Sequence, residues 1–168
     1  MATDTKAPDP LTLALRFLSY RERTEYEMRE KLQAKGAYSK EIVEETIEYL
    51  TEADYLNDRR FAAALAGSRI RNKAWGRYKI SIDLKKRRIA DEIIKEVVAG
   101  IDDTAEKETA EAAIEKWFRK SGNTSPLSQK EYQRAFRHLA SRGFSTAIAI
   151  KVLGCHRGAY GSEEEQQT

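Results

Sequence analysis

Apolar residues recur at helical spacing along the first third of the chain, with polar residues between them. Three sets show this spacing: Leu15 with Leu18, Met28 with Leu32, and Ile42 with Thr46, Ile47 and Leu50. Residues three, four and seven positions apart share one face of a helix. The pattern therefore predicts three amphipathic helices, each with one buried face.

Polar residues and a glycine mark the ends of these predicted helices. Thr24 and Glu27 form a capping-box pattern that opens the second helix, and Ser39 is suited to cap the third. Gly36 lies where the second helix should end, because glycine accepts the left-handed conformation of a C-terminal cap. Together these signals define one three-helix unit.

The same pattern returns 52 residues later, with Gly76 in the place of the Thr24 cap. The matched positions are Leu13 with Leu65, Ala14 with Ala66, Leu18 with Ile70, Met28 with Ile80, Leu32 with Leu84, Ser39 with Asp91 and Ile42 with Ile94. A looser third copy has its first helix over roughly 104–120, then a Ser128–Glu131 capping box and a Ser145 cap. The chain is thus built from repeats.

We predict an all-α fold of three tandem three-helix repeats, similar to helix-turn-helix units and stacked into an elongated, curved array. The expected repeats are 11–57, 58–102 and 103–154, with disordered segments at 1–10 and 155–168. Leu32, Leu84 and Leu139 are expected in the core.

Charge is sorted along the chain, although the net charge is only +3. Residues 1–58 carry 8 basic and 13 acidic side chains, residues 59–88 carry 11 and 1, residues 89–116 carry 3 and 9, and residues 117–168 carry 8 and 4. Helical surfaces usually mix the two signs. The second repeat is therefore predicted to present a cationic surface that attracts phosphates or an acidic protein surface.

The candidate binding residues follow from this sorting. They are Arg69, Arg71, Lys73, Arg77, Tyr78, Lys79, Lys85, Lys86, Arg87 and Arg88, with Arg134, Arg137 and Arg142 as a second contact region. On a helix from about 77 to 87, Ile80 and Leu84 face the core, whereas Tyr78, Lys79, Ile82, Lys85 and Lys86 face outward. Trp75 is expected to be half-buried at the preceding turn. The alternative is a solvated face whose charges pair with the acidic repeats on either side.

Catalytic and metal-binding patterns are not evident in the sequence. His138 and His156 are the only histidines, and Cys155 is the only cysteine, so neither a zinc site nor an internal disulfide is expected. We find no glycine-rich phosphate loop, no nucleophile motif and no long apolar stretch. The expectation is a cytoplasmic, monomeric protein without a cofactor, a membrane span or catalytic residues.

Three stretches resemble the RecX proteins, bacterial modulators of the RecA recombinase. They are ADYLNDRRFA (53–62), ALRFLSYRERTEYEMREKL (14–32) and GRYKISIDLKKR (76–87), within a resemblance that covers roughly residues 11–153. It implies a non-enzymatic protein that lodges in the groove of the RecA–DNA filament, limits its growth or stability, and suppresses its recombinase, ATPase and coprotease activities. Family members often carry a Lys-Gly-Ile step where this chain has Arg87-Arg88-Ile89, which predicts a weaker helix end there.

The junction YLND (55–58) also has a physical interpretation. We expect Asp58 to cap the following helix, Asn57 to favour the tight backbone, and Tyr55 and Leu56 to pack between the first two repeats.

Two functions compete at this stage. The first is regulation of a recombinase filament in DNA repair, recombination and the SOS response, with RecA as the partner and weak, nonspecific contact to single- or double-stranded DNA. The second is autonomous, nonspecific DNA binding through the basic second repeat, which would be steeply salt-dependent. A helical scaffold for some other protein is the remaining possibility.

Overall fold

The computed structural model describes residues 8–122 and 124–156 of the 168-residue chain. Within these residues the fold is all-α, as predicted, and three tandem groups of three helices are confirmed. The helices are α1 Pro10–Tyr20, α2 Glu25–Gln33, α3 Lys40–Glu52, α4 Asp58–Lys73, α5 Arg77–Lys86, α6 Asp91–Ala99, α7 Asp103–Ser121, α8 Gln129–Ser141 and α9 Thr146–Leu153, followed by a 3-10 turn at Gly154–His156. The segments predicted to be disordered lie mostly outside the described residues.

The described residues pack into two compact units. Residues 8–64 and 84–94 form the first unit, and residues 65–83 and 95–156, except residue 123, form the second. The middle group of helices, α4 to α6, therefore contributes to both units. The predicted repeat boundaries at 57/58 and 102/103 stay predictions.

Four of the predicted helix caps are confirmed. The side chains of Thr24, Ser39, Ser128 and Ser145 each accept a hydrogen bond from the backbone N–H three residues ahead, and so open α2, α3, α8 and α9. Ser128 and Glu131 complete a reciprocal capping box. These bonds satisfy backbone donors that a helix leaves without an internal partner.

The core of the first unit lies between α1, α2 and α3. On α3 the buried residues are Val43, Thr46, Ile47 and Leu50. The prediction that Ile42 shares this face is wrong, because its side chain is 42% exposed. Eight helical residues separate Ile42 from Leu50, a rotation of about 80° from a common face, whereas the seven from Val43 to Leu50 leave about 20°.

The core of the second unit includes inner residues of α7, α8 and α9. Ile114, Leu139 and Leu153 are buried there, with the half-buried rings of Trp117 and Phe118 at the edge. Across the two units, Leu32, Leu84 and Leu139 are fully buried, which confirms the sequence prediction.

Each of these three leucines also precedes, by four residues, a left-handed residue that ends its helix. Gly36 has φ +64°, Arg88 has φ +60° and Gly143 has φ +85°. At Arg88 and Gly143 the backbone bonds have the Schellman pattern, with Ile89 N–H donating to Leu84 O and Phe144 N–H to Leu139 O. Helix α5 thus does end at the Arg87-Arg88-Ile89 step, where a weaker helix end was expected. Arg88 occupies the left-handed position that glycine occupies at the ends of α2 and α8.

Replacing Arg88 with glycine is therefore expected to stabilise the fold by about 0.5–1 kcal/mol, since only glycine adopts φ near +60° without a steric penalty. Chemical denaturation followed by circular dichroism measures the effect. Arg88→Ala is the matched control, because it removes the same side chain and keeps the Cβ. Equal stability of the two variants would contradict the backbone explanation.

The YLND junction is structural, but its cap differs from the prediction. Asn57, not Asp58, caps α4: its Oδ1 accepts from Arg60 N–H at 2.9 Å. Asp58 is the first residue of α4, and its Oδ1 accepts from Glu25 N–H at 3.0 Å, at the first residue of α2. Asp58 therefore caps a different helix from the one it begins. Burial raises the pKa of its carboxyl group.

Tyr55 and Leu56, the two apolar residues of the junction, differ in how deeply they are buried. Leu56 is buried with core residues of α1–α3, so its expected packing between the first two repeats stays a prediction, whereas Tyr55 is 53% exposed. The prediction that both pack between repeats is thus wrong for Tyr55.

Candidate interaction surface

Helix α5 lies at the centre of residues 69–88, which we call the basic stretch, and presents two distinct faces. Ile80 and Leu84 are buried, whereas Tyr78 is 69% and Ile82 is 37% exposed, which confirms the orientation predicted for these four residues. The outward face is therefore partly aromatic and apolar.

Arg77, at the start of α5, is engaged within the second unit. Its backbone N–H donates to Glu106 Oε1 at 3.1 Å, and its guanidinium pairs with Asp103 at 2.9 Å and Glu106 at 3.4 Å. The guanidinium also donates to the Ile101 carbonyl. Glu106 is only 3% exposed. This buried carboxylate caps α5 from α7, as Asp58 caps α2 from α4.

Arg69 and Lys79 lie against the Trp75 ring, within the second unit. Their cationic groups are 5.1 Å and 5.0 Å from the ring centroid. Arg69 also pairs with Asp83, the single acidic residue of the basic stretch, at 2.7 Å. Trp75 is partly buried, as predicted. These contacts order two of the candidate cations and use part of their hydrogen-bonding capacity.

The turn after α8 joins the turn before α5, again within the second unit. Arg142 donates through Nη1 to the Lys73 carbonyl and through Nε to His138 Nε2, which therefore acts as the acceptor. Lys79 Nζ donates to the Ser141 carbonyl at 2.8 Å, and Gly76 N–H donates to the Arg142 carbonyl at 2.9 Å. Burial and the Arg142 charge lower the pKa of His138, which favours its neutral form.

Two further cations are held within the first unit. Arg87 pairs with Glu27 at 3.0 Å and lies 5.7 Å from the centroid of the Phe61 ring. Arg88 lies 5.8 Å from the centroid of the Tyr26 ring but stays exposed to solvent. Arg87 therefore has structural contacts, whereas Arg88 remains accessible.

The other basic residues of the stretch are exposed. Within the described part of the chain, Arg71, Lys73 and Lys86 form no ion pair. Lys85 is 71% exposed and lies 3.4 Å from Asp91, a surface pair of the kind that contributes about 0–1 kcal/mol. These four residues and Arg88 make up what we call the open cations.

The second predicted contact region divides in a similar way. Arg134 and Arg137 are exposed on α8, whereas Arg142 is partly buried in the joint with the α4–α5 turn. The sequence did not identify Glu106 or Glu27 as partners of the basic stretch, and Glu27 was noted only for its spacing from Thr24. Only Asp83 carried a signal, since it is the one acidic residue within 69–88.

The described residues show neither a cluster of metal ligands nor a membrane-spanning helix. They contain no cluster of three or more His, Cys, Asp or Glu side chains arranged to hold a metal ion. None of their helices is both long and apolar enough to span a bilayer.

Comparison with protein families gives consecutive matches along the chain. Residues 11–50, 57–98 and 105–153 match the first, second and third three-helix domains of RecX. This chain belongs to the RecX family. The three RecX domains correspond to α1–α3, α4–α6 and α7–α9, and the first and last matches begin and end where the resemblance seen in the sequence does, at residues 11 and 153.

Individual relatives agree with this assignment. Regulatory protein RecX of Pelodictyon phaeoclathratiforme is 35% identical over 90% of this chain and 94% of its own length. The RecX of Geobacillus sp. (strain WCH70) is 34% identical over 92% of this chain, which spans about half (54%) of that longer protein. The crystal structure of RecX from Lactobacillus salivarius shares the fold, with a TM-score of 0.78, 24% identity, and coverage of 88% of this chain and 94% of that one.

Proposed function

We propose that this RecX-family chain regulates a RecA recombinase by binding along the RecA–DNA filament and limiting its growth or stability. Membership of a family named for regulatory proteins supports the regulatory role. The proposal includes a non-catalytic mode of action, in which the chain acts as a cytosolic monomer and binds DNA only weakly by itself.

The observation that carries the proposal is the division of the basic stretch. Arg69, Arg77 and Arg87 are held by Asp83, Glu106 and Glu27. The open cations, in contrast, lack strong internal partners and extend into solvent. Surface ion pairs contribute little to folding, so internal pairing does not account for this excess of cations. Phosphates or acidic side chains of a filament are chemically suited to them.

The proposed function is tested by ATP hydrolysis of RecA on single-stranded DNA, with the chain added below stoichiometric amounts. We expect a lower rate together with shorter filaments in electron micrographs. An unchanged rate combined with binding to bare DNA would instead favour the autonomous DNA-binding function. An unchanged rate without DNA binding would leave a helical scaffold for some other protein as the remaining function.

The role of the open cations is tested by a triple variant, Arg71→Gln, Lys73→Gln and Lys86→Gln. We expect its inhibitory potency to fall by about tenfold or more, and its DNA affinity to become less salt-dependent, by up to about three in the logarithmic slope. Circular dichroism should show an unchanged fold, because the three side chains are exposed.

The matched control is Arg16→Gln, Lys35→Gln and Lys40→Gln, which removes three charges from exposed residues of the first repeat. A similar loss in both triple variants would indicate a net-charge effect and contradict a specific role for the open cations.

A further inference from the structure

The outer face of α8 has a shallow depression of about 240 Å³, lined by Tyr132, Gln133, Phe136 and Arg137. The Tyr132 and Phe136 rings are only partly buried against the second core. One face of a single helix thus combines an aromatic floor with a cation at its rim.

The charge around this depression is unbalanced. Arg134 and Arg137 are exposed and form no salt bridge with a carboxylate of the described residues. Glu131 is nevertheless close enough to Arg134 that, after the Ser128 hydrogen bonds, the Arg134 charge helps to lower the pKa of its carboxyl group. Glu131 is the one acidic residue within 117–156, against seven basic ones, and its carboxylate is used in the Ser128 capping box. A ligand for this face would therefore supply carboxylate or phosphate oxygens.

The last of the described residues, His156, lies next to the same helix. The His156 carbonyl accepts from Leu127 N–H at 2.9 Å, one residue before the Ser128 cap of α8. The His156 ring also lies 5.0 Å from the Phe118 ring, centroid to centroid. Along the axis of α8, Tyr132 lies about 8 Å and Arg137 about 15 Å from Leu127.

The sequence beyond His156 carries the complementary groups. Tyr160 follows four residues later, and Glu163, Glu164 and Glu165 follow after seven to nine. Seven residues of extended chain span at most about 25 Å, which exceeds the distance along α8. Both an aromatic ring and carboxylates can therefore reach this face.

We propose that segment 160–165 docks on the outer face of α8, with Tyr160 against the aromatic depression and the glutamates against Arg134 and Arg137. Each contact is weak by itself, but a short tether raises the local concentration of the segment to the millimolar range. A polyanion such as DNA offers the same kind of oxygen and would compete for these arginines. The segment thus acts as an internal competitor at this face.

The test compares amide chemical shifts of the wild-type chain with those of Glu163→Gln/Glu164→Gln/Glu165→Gln. We expect differences at residues 130–138 that disappear near 1 M salt, where ionic contacts are screened over about 3 Å. A synthetic peptide of residues 158–168, added to this variant, should restore the wild-type shifts with a dissociation constant on the order of millimolar.

The matched control is Glu92→Gln/Glu108→Gln/Glu115→Gln, which removes the same charge from exposed positions on α6 and α7. It should leave the shifts at 130–138 as in the wild-type chain. The proposal is overturned if the tail variant shows no differences on α8, if they map to residues 69–88, or if they depend on protein concentration. The last result would indicate capture of the segment by a second copy of the chain.

Discussion

Replacing Glu106 with alanine is expected to lower the free energy of unfolding by about 3 kcal/mol, as is typical when one partner of a buried ion pair is removed. Glu106 is 3% exposed, caps the first N–H of α5 and faces the Arg77 guanidinium. Without it, the exposed Asp103 is the one acidic partner that Arg77 keeps among the described residues. Urea denaturation followed by far-ultraviolet circular dichroism measures the change.

Two variants separate the possible causes of this loss. Glu108→Ala removes an exposed glutamate from the same helix and should change the free energy of unfolding by no more than about 0.5 kcal/mol. Glu106→Gln keeps an oxygen acceptor for Arg77 N–H but removes the charge, so an intermediate loss is expected. If Glu106→Ala costs no more than Glu108→Ala, the buried carboxylate has no structural role.

Most of the fold follows from local signals in the sequence. Helical spacing identified Leu32, Leu84 and Leu139, and the caps at Ser39, Ser128 and Ser145 depend on groups only three residues apart. Such interactions are encoded within one helix, so a single sequence reveals them. The Ile42 error has the same local origin, since Ile42 and Val43 both fit an incomplete helical pattern.

The candidate surface is less predictable because its contacts join distant residues. Arg77 meets Glu106 across 29 positions, and Arg87 meets Glu27 across 60. Neither spacing is periodic, so no sequence pattern distinguishes these two arginines from Arg71 or Lys86. The alternative, in which the basic residues pair with acidic residues of the neighbouring repeats, is thus correct for Arg77 and Arg87. That the open cations bind a partner stays a prediction.

The basic stretch therefore combines two physical roles. Arg69, Arg77 and Arg87 use planar guanidinium groups to bridge carboxylates, aromatic rings and carbonyls inside the fold. Lys73 and Lys86, in contrast, extend flexible ammonium groups into solvent. Variants that remove Arg69, Arg77 or Arg87 would lose stability and binding together. The open cations can be replaced without disturbing these internal contacts.

The second large effect is expected for Gly143→Ala, with a loss of about 3 kcal/mol or more in the free energy of unfolding. Gly143 has φ +85°, where an L-residue is strained. A Cβ at this position would also lie 2.3 Å from the Lys79 backbone nitrogen, which cannot move away as a flexible side chain would. Relief of the clash must separate the turn after α8 from the start of α5, where the Gly143 carbonyl accepts from Tyr78 N–H.

Gly122→Ala is the control that isolates this close approach. Gly122 has φ +69°, but none of the described atoms would lie within 4 Å of a Cβ added there, so only the backbone strain of about 1 kcal/mol should appear. Urea denaturation of both variants gives the difference directly. Equal losses would show that the joint tolerates the added methyl group. A larger loss for Gly143→Ala would show that the close backbone approach of Gly143 to Lys79, and not the positive φ alone, determines the cost.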